Sequence, residues 1–451
     1  MATTDQLINW DKNHMMHALY PTGQHCGIIW EEGNGVTLKD TTGKEYIDFC
    51  AQLDCVNLGY GRSELVAAAT EQMQKLSYAA TFFGFSNRTS IECGIKLAEL
   101  TPPGLDNFSF TAGGSESTEL SFILSRVYWR HKGAAGKHKI ISLYDSYHGM
   151  TFAARSCTGL GKGTLEAGVL QKVPGFIHIP SFYCYRCMFG KEYPRCGIQC
   201  ARFLGEVIEK EGPDTVAAFI AEPVMGATGM IPPPPEYWPL VRDICNKYSV
   251  LLIADEVMTG FCRTGRMFAV EHWEIRPDIM TLAKGITSAY FPVGAVAISN
   301  EIFEGLKGVV EGGFTYGGHP VGFAVAIKAM EIYTRDRIVE HVEKAGKHIK
   351  ERLINEFLPL PSVGDVTGIG FMGGMEIVAD KKTKKPFDPA LNIMANIKAK
   401  ALEKGLFIRT ASVTSSISDR VEWSCPLVMT IEEADKAIDI LKPIVAELKP
   451  S

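Results

Sequence analysis

Short, unbroken apolar runs alternate with helical periods through the middle of this 451-residue chain. KIISL (139–143), AAFIAEP (217–223), VLLIADEV (250–257) and DIMTLAKG (278–285) are the runs, and YWPLVRDICNKY (237–248) shows the helical spacing. Strands covered on both faces read as continuous apolar stretches, so this alternation from about Thr89 to Met330 predicts a largely parallel α/β sheet flanked by helices. Ahead of it, strands at Gly35–Leu38 and Glu45–Phe49 flank a Gly/Asp turn, and a helix is predicted from Ser63 to about Leu76. Behind it, one long amphipathic helix from Val321 to about Leu353 leads into mixed strands and helices. The run Pro232–Pro235 excludes helix interior and reads as a stiff surface turn. A chain this long exceeds a single core. The organisation expected is a large α/β domain over 71–325, with a small α/β domain built from both termini, 1–70 and 326–451.

Composition narrows the class. A net charge of −5 argues against nucleic-acid binding, and no run of eighteen apolar residues suggests a membrane span. The opening MATTDQLINW lacks the basic and apolar regions of an export signal, so a cytoplasmic protein is expected. The twelve cysteines then read as reduced thiols or metal ligands before disulfides.

Candidate chemistry sits at the ends of the apolar runs, where ligands gather in an open parallel sheet. Asp255 and Glu256 follow VLLIA, and a carboxylate there costs free energy unless it is paired. A helix-capping or ion-paired acid is the plain alternative. DIMTLA ends in Lys284, where desolvation favours the neutral, nucleophilic amine. Acid and amine together suggest a pyridine ring held between them, the acid on the ring nitrogen and the amine on an aldehyde carbon. A phosphate site is offered by Thr111–Glu116, TAGGSE, whose glycines precede a helix start; such turns are common, and the signal is weak alone. Tyr147, after KIISLYDS, either stacks on a flat ring or packs ordinarily.

Taken in order, GGSESTE, SYHGMT, IAEPVMGATGM, LLIADEVMTGFCRTG, TLAKGI and FTYGGHP resemble the class III (ω-) aminotransferases, pyridoxal-phosphate (PLP) enzymes of fold type I. The resemblance runs from CVNLGYGR (55–62) to CPLVMT (425–430). It implies that Lys284 is the Schiff-base lysine and proton carrier and that Asp255 pairs with the pyridinium nitrogen. Val257 and Tyr147 would cover the two ring faces, and Gly114 and Ser115 would hold the phosphate. Glu222 would lie close to the cofactor, and His148 would bond it directly or through a neighbour. Thr315 would reach the phosphate of a neighbouring subunit, implying a homodimer with composite sites, or a higher oligomer.

Arg409, in GLFIRT, matches the arginine that ω-amino acid–pyruvate members use for a substrate carboxylate, a planar two-point contact. A solvent-facing strand-end arginine is the alternative. Members acting on 4-aminobutyrate or ornithine often carry arginine after YHG, where this chain has Met150. Related decarboxylases place their carboxylate arginine near Glu422. Asp54 stands where several amine–pyruvate relatives have tryptophan; it either favours a donor with a second positive group or caps a turn. Phe82 and Phe83 would narrow the same pocket. The expected reaction is ping-pong transfer from a small ω-amine, of the taurine or β-alanine type, to a 2-oxo acid such as pyruvate. A racemase or decarboxylase on the same fold, or a non-catalytic interaction protein, are the rivals.

Cys184, Cys187, Cys196 and Cys200 form C-x2-C-x8-C-x3-C in an insert at 181–201. That is the spacing of a structural zinc or iron–sulfur site. Packed reduced thiols, or disulfides formed on oxidation, are the alternatives.

Overall fold

Seven strands form the central sheet, in the order Asn107–Thr111, Gly294–Ile298, Ile279–Leu282, Leu251–Asp255, Val216–Ala221, Lys139–Leu143, Phe176–Ile179. This computed structural model describes residues 2–160, 172–310, 312–412 and 418–449. From Ile279–Leu282 onward the strands run parallel, while Gly294–Ile298 is antiparallel to both neighbours. The apolar pattern gave no notice of this reversal, because GAVAI reads like any strand buried on both faces. Val216–Ala221, Leu251–Asp255 and Ile279–Leu282 are buried at every position. The helix Gly114–His131 packs across strands of the sheet, and Tyr237–Lys247 packs against Leu251–Asp255.

Two four-stranded sheets carry the rest. One joins Trp30–Asn34, Thr37–Asp40, Glu45–Asp48 and Leu406–Phe407; the other joins Val363–Ile369, Met372–Ile377, Arg420–Trp423 and Arg409–Ala411. Leu406–Phe407 lies parallel to Glu45–Asp48, so early and late segments share a sheet. Only the buried Ile408 separates that strand from Arg409–Ala411 in the next sheet.

The single helix expected over 321–353 is two, Pro320–Arg335 and Ile338–Phe357. Arg337 between them has φ +52°, a left-handed turn. The break falls in the polar stretch TRDR, where Asp336 receives Arg62 at 2.6 Å and Arg335 at 2.7 Å, so ion pairing overrides a periodic stripe. Sequence patterning also missed the helix Thr4–His14, which has no buried residue, and the largely exposed strand Trp30–Asn34. Among the described residues no helix is long and apolar enough to cross a membrane.

Candidate active site

Strand register places the candidate residues at one sheet edge. Asp255 pairs with Thr281, Ala254 with Ala221 beside it, and Leu143 with Ile179. The chain therefore leaves the carboxyl ends of neighbouring strands at Asp255, Glu222, Lys284 and the Tyr147–His148 turn, where ligands bind in such sheets.

Asp255 is 3 % exposed and fully engaged. Its Oδ2 lies 2.6 Å from His148 Nδ1, and its Oδ1 accepts the Thr281 hydroxyl at 2.9 Å and the Val257 amide at 3.2 Å. These contacts fix the carboxylate and meet the desolvation cost that made it conspicuous. His148 Nε2 is buried with no hydrogen-bond partner, a polar atom left for something else to satisfy. Glu222 Oε2 accepts the Tyr147 amide and Oε1 the Gly226 amide; burial pushes its carboxyl up to about 7, against the pull of His148. Glu256 points away into the core, bonded to Thr259 and the Val270 amide, and burial lifts it too to about 7.

The glycine-rich turn opens the helix Gly114–His131. Gly114 packs so closely on Val257 that a Cβ there would lie 2.7 Å from Val257 Cγ1, while a Cβ on Gly113 would meet nothing within 4 Å. Ser115 Oγ accepts the Met150 amide at 3.1 Å, tying the YHGM turn to the helix start. An open glycine, free N-terminal amides and a serine hydroxyl make an anion cradle. With the ring acid, the unpartnered His148 nitrogen and an amine on the neighbouring strand, these residues fit PLP. Lys284 begins a single 3-10 turn directly after its strand, with φ +45°. Left-handed backbone at a lysine costs about 1 kcal/mol or more and concentrates at functional sites.

Lys284 Nζ is 3.9 Å from Asp54 Oδ2. The same oxygen is 2.6 Å from Arg409, and Asp54 Oδ1 accepts the Ser424 hydroxyl. Arg409 Nε is in turn 3.0 Å from Glu422 Oε2. Glu422 is fully buried, and burial raises its carboxyl to about 7, Arg409 opposing. Asp54 is not a simple turn cap. Ala51, Gln52 and Asp54 all have positive φ, and the Asp48 carboxylate holds their turn by accepting the Cys50 and Gln52 amides.

Other expected residues lie apart. Phe83 is 93 % exposed and touches the Phe82 ring, so within its own chain it narrows no pocket. Thr315 sits exposed on the 312–319 loop, its carbonyl accepting Tyr78 OH at 2.7 Å. Met150 lies by the phosphate cradle. Thr281, Ser424 and the acid role of Glu422 were not anticipated. Thr281 was legible as the residue opposite Asp255 once the strands were paired; Ser424 carried no local signal.

The four cysteines line one cavity of about 20 Å³, but their sulfurs do not converge as metal ligands do. Among the described residues, the group that brings three ligand atoms within 4.8 Å is Asp11, His17 and His25. The expected zinc is thus unsupported. Burial, with the neighbouring cysteines, lifts Cys184 to about 11 and Cys200 to about 12. Cys196 and Cys200 pack against the main core as small apolar groups. The insert is pinned instead by an ion pair, Arg186 to Glu376 at 2.6 Å, and by a hydrogen bond that Arg420 donates to the Tyr183 hydroxyl at 2.6 Å.

Comparison with known proteins places this geometry in a family. The profile of the class-III aminotransferases matches residues 19–445. The diaminobutyrate–2-oxoglutarate transaminase of Halomonas elongata is 35 % identical over 97 % of this chain and 95 % of its own. The putrescine–pyruvate aminotransferase of Pseudomonas aeruginosa is 36 % identical over 92 % and 89 %. The crystal structure of an (S)-enantioselective omega-transaminase from Thermomicrobium roseum superposes with a TM-score of 0.93 at 37 % identity, over 99 % of both chains. This chain belongs to the class III aminotransferases, PLP-dependent enzymes of fold type I.

Proposed function

We propose that the enzyme moves a primary amino group from a small ω-amine to a 2-oxo acid, pyruvate, in ping-pong order. The observation that carries this reading is the buried Asp255, held by His148, Thr281 and Val257, on the strand beside the one that delivers Lys284. When bound, PLP supplies a carbonyl for the amine and a sink for the electrons left on the donor carbon.

The protein's own groups do the rest. Asp255 Oδ holds the proton of the ring nitrogen, and His148 and Thr281 keep that carboxylate aimed. The amides of Gly114 and Ser115 with the Ser115 hydroxyl bind the phosphate. Val257 and Tyr147 would cover the ring when it is bound. Lys284 Nζ would hold the cofactor's aldehyde carbon and would carry the donor's α-proton. Arg409 binds the carboxylate of the 2-oxo acid through its planar guanidinium. Taurine or β-alanine would need Arg409 for the acid end, and that guanidinium already carries Asp54 and Glu422. The names of the relatives, diaminobutyrate and putrescine transaminases, favour other ω-amines.

The enzyme would work as a homodimer, whose interface would cover exposed apolar side chains such as Phe83, Phe85 and Tyr316. In it Thr315 and Phe83 would serve the neighbouring site.

The test is direct. Purified protein should take up PLP and absorb at the edge of the visible, and amine-dependent conversion of pyruvate to alanine should follow. Lys284→Ala should lose both the absorbance and the turnover. A Lys284→Ala protein that still cycles, or amino-acid racemisation without any 2-oxo acid, would refute the reading.

A further inference from the structure

The helix Thr4–His14 and the segment after it have little core to hold them. The helix buries no residue, and every residue from Lys12 to Gln24 is exposed, Leu19 at 98 %. A helix of 11 residues is marginal alone in water, and apolar burial adds little here. A side-chain tie to the early strands is the Thr4 hydroxyl, 3.0 Å from that of Thr41.

The chain nevertheless folds back with three ligating side chains together. Leu19, at φ +57°, and Gly23, at φ +78°, reverse it, and the Gln24 amide donates to the Pro21 carbonyl at 3.1 Å. His17 Nε2 then lies 2.7 Å from Oδ1 of Asp11, in the last turn of the helix. The His25 ring stands edge-on to that of His17, centroids 5.9 Å apart. One oxygen of Asp11 and one nitrogen of each imidazole all fall within 4.8 Å of one another. A carboxylate at the negative end of a helix dipole favours a cation beside it, and imidazoles in their neutral form bring lone pairs to share with one.

We infer that Asp11, His17 and His25 bind a divalent transition ion of the zinc class, which staples the N-terminal helix to the segment leading into the strand Trp30–Asn34. Two imidazoles and a carboxylate suit zinc better than magnesium or calcium, and the fourth position falls to water. Zinc at about 2.0–2.1 Å from each ligand sets the ligand atoms about 3.3 Å apart. Closing a gap of under 4.8 Å to that spacing is a small adjustment of an exposed segment. The ion takes the place of the hydrogen that joins His17 to Asp11. It also competes with the Gly27 amide, which donates to His25 Nδ1 at 2.9 Å; Gly27 is exposed, so water takes up the freed amide. The role is structural, a cross-link where burial provides none. The site shares no residue with the cofactor site, so it stands or falls apart from the aminotransferase reading.

The test uses the untagged holoenzyme, freed of metal by a chelator and dialysis, then titrated with zinc by calorimetry and with cobalt(II) by visible absorbance. One zinc per chain is expected. His17→Ala, which replaces an exposed side chain, and Asp11→Asn should each weaken it by about tenfold or more, while Cys187→Ser leaves it unchanged. The cobalt form should show d–d bands without the thiolate charge-transfer band that cysteine ligands add. Zinc at about ten times its dissociation constant should slow tryptic cleavage after Lys12, between the ligands, by about tenfold in the wild type and not in His17→Ala. No zinc uptake, uptake that His17→Ala leaves intact, or uptake lost in Cys187→Ser would each overturn the site.

Discussion

His148 Nδ1 lies 2.6 Å from Oδ2 of Asp255, and neither side chain is open to water. The imidazole is an internal prop: the His148 backbone amide is tied to the Thr158 hydroxyl at 2.9 Å, and its ring orients the Asp255 carboxylate. Replacing His148 by phenylalanine removes one of three partners of a buried carboxylate, costing about 1–3 kcal/mol. The expected outcome is a fall in kcat of about tenfold to a hundredfold with PLP still bound, measured by steady-state assay and visible absorbance. Asp255→Ala should be far more severe, leaving turnover at background.

Gly114→Ala tests the cradle. Alanine favours a helix by up to about 1 kcal/mol over glycine. Here its Cβ would lie 2.7 Å from Val257 Cγ1, and valine is stiff at χ1, so overpacking of about 1–3 kcal/mol prevails. The variant should melt earlier than the wild type, and its PLP dissociation constant, followed by absorbance titration, should rise about tenfold or more.

Arg409→Lys keeps the charge but loses the planar fork. The KM for pyruvate should rise about tenfold to a hundredfold. Single-turnover rates with the amine donor alone should change much less, since the donor half-reaction asks nothing of a carboxylate site. Equal losses in both half-reactions would show that Arg409 does not discriminate between them.

Three buried glutamates should withdraw stability as pH rises from about 4.5 toward 7. Burial raises Glu222, Glu256 and Glu422 from the ordinary 4.5 to about 7. Between those values the folded protein holds protons that the unfolded chain has released, so folding is favoured on the acid side and weakens toward pH 7. Glu256 lies outside the pocket, bonded to Thr259 and the Val270 amide, which makes it the clean probe. Glu256→Gln should flatten the decline in Tm between pH 5 and 7.5, read by calorimetry; a variant with an unchanged slope would remove Glu256 from the account.

Much of the site was legible because burial makes charge conspicuous. Asp255, Glu222 and Lys284 stand at the ends of apolar runs, where their presence demands a partner, and strand register then brings them together. What stayed hidden was long-range. Asp54 lies 355 residues before Arg409, and no periodicity tells that 409 pairs with 422 across a ladder or that the turn at 51–54 bends left-handed toward both. The reversed strand Gly294–Ile298 and the broken helix at Arg337 escaped for a related reason, since burial pattern records which residues are inside and not which way the chain runs. The cysteine spacing did foretell that four thiols line one cavity, but spacing alone does not set the sulfur-to-sulfur distances a shared metal needs.

The one-residue joint at Ile408 has a practical consequence. A strand of the sheet built from the early chain ends at Phe407, and a strand of the other four-stranded sheet begins at Arg409. The Arg409 guanidinium, proposed to bind the oxo acid, is therefore stitched to both seams at once, while Asp54 hangs from the first of them through Phe49, whose amide donates to Phe407. Nicking or trimming the early strands would loosen the Arg409 end of the pocket before it touched Lys284, so a clipped preparation should keep its colour and lose its selectivity for substrate.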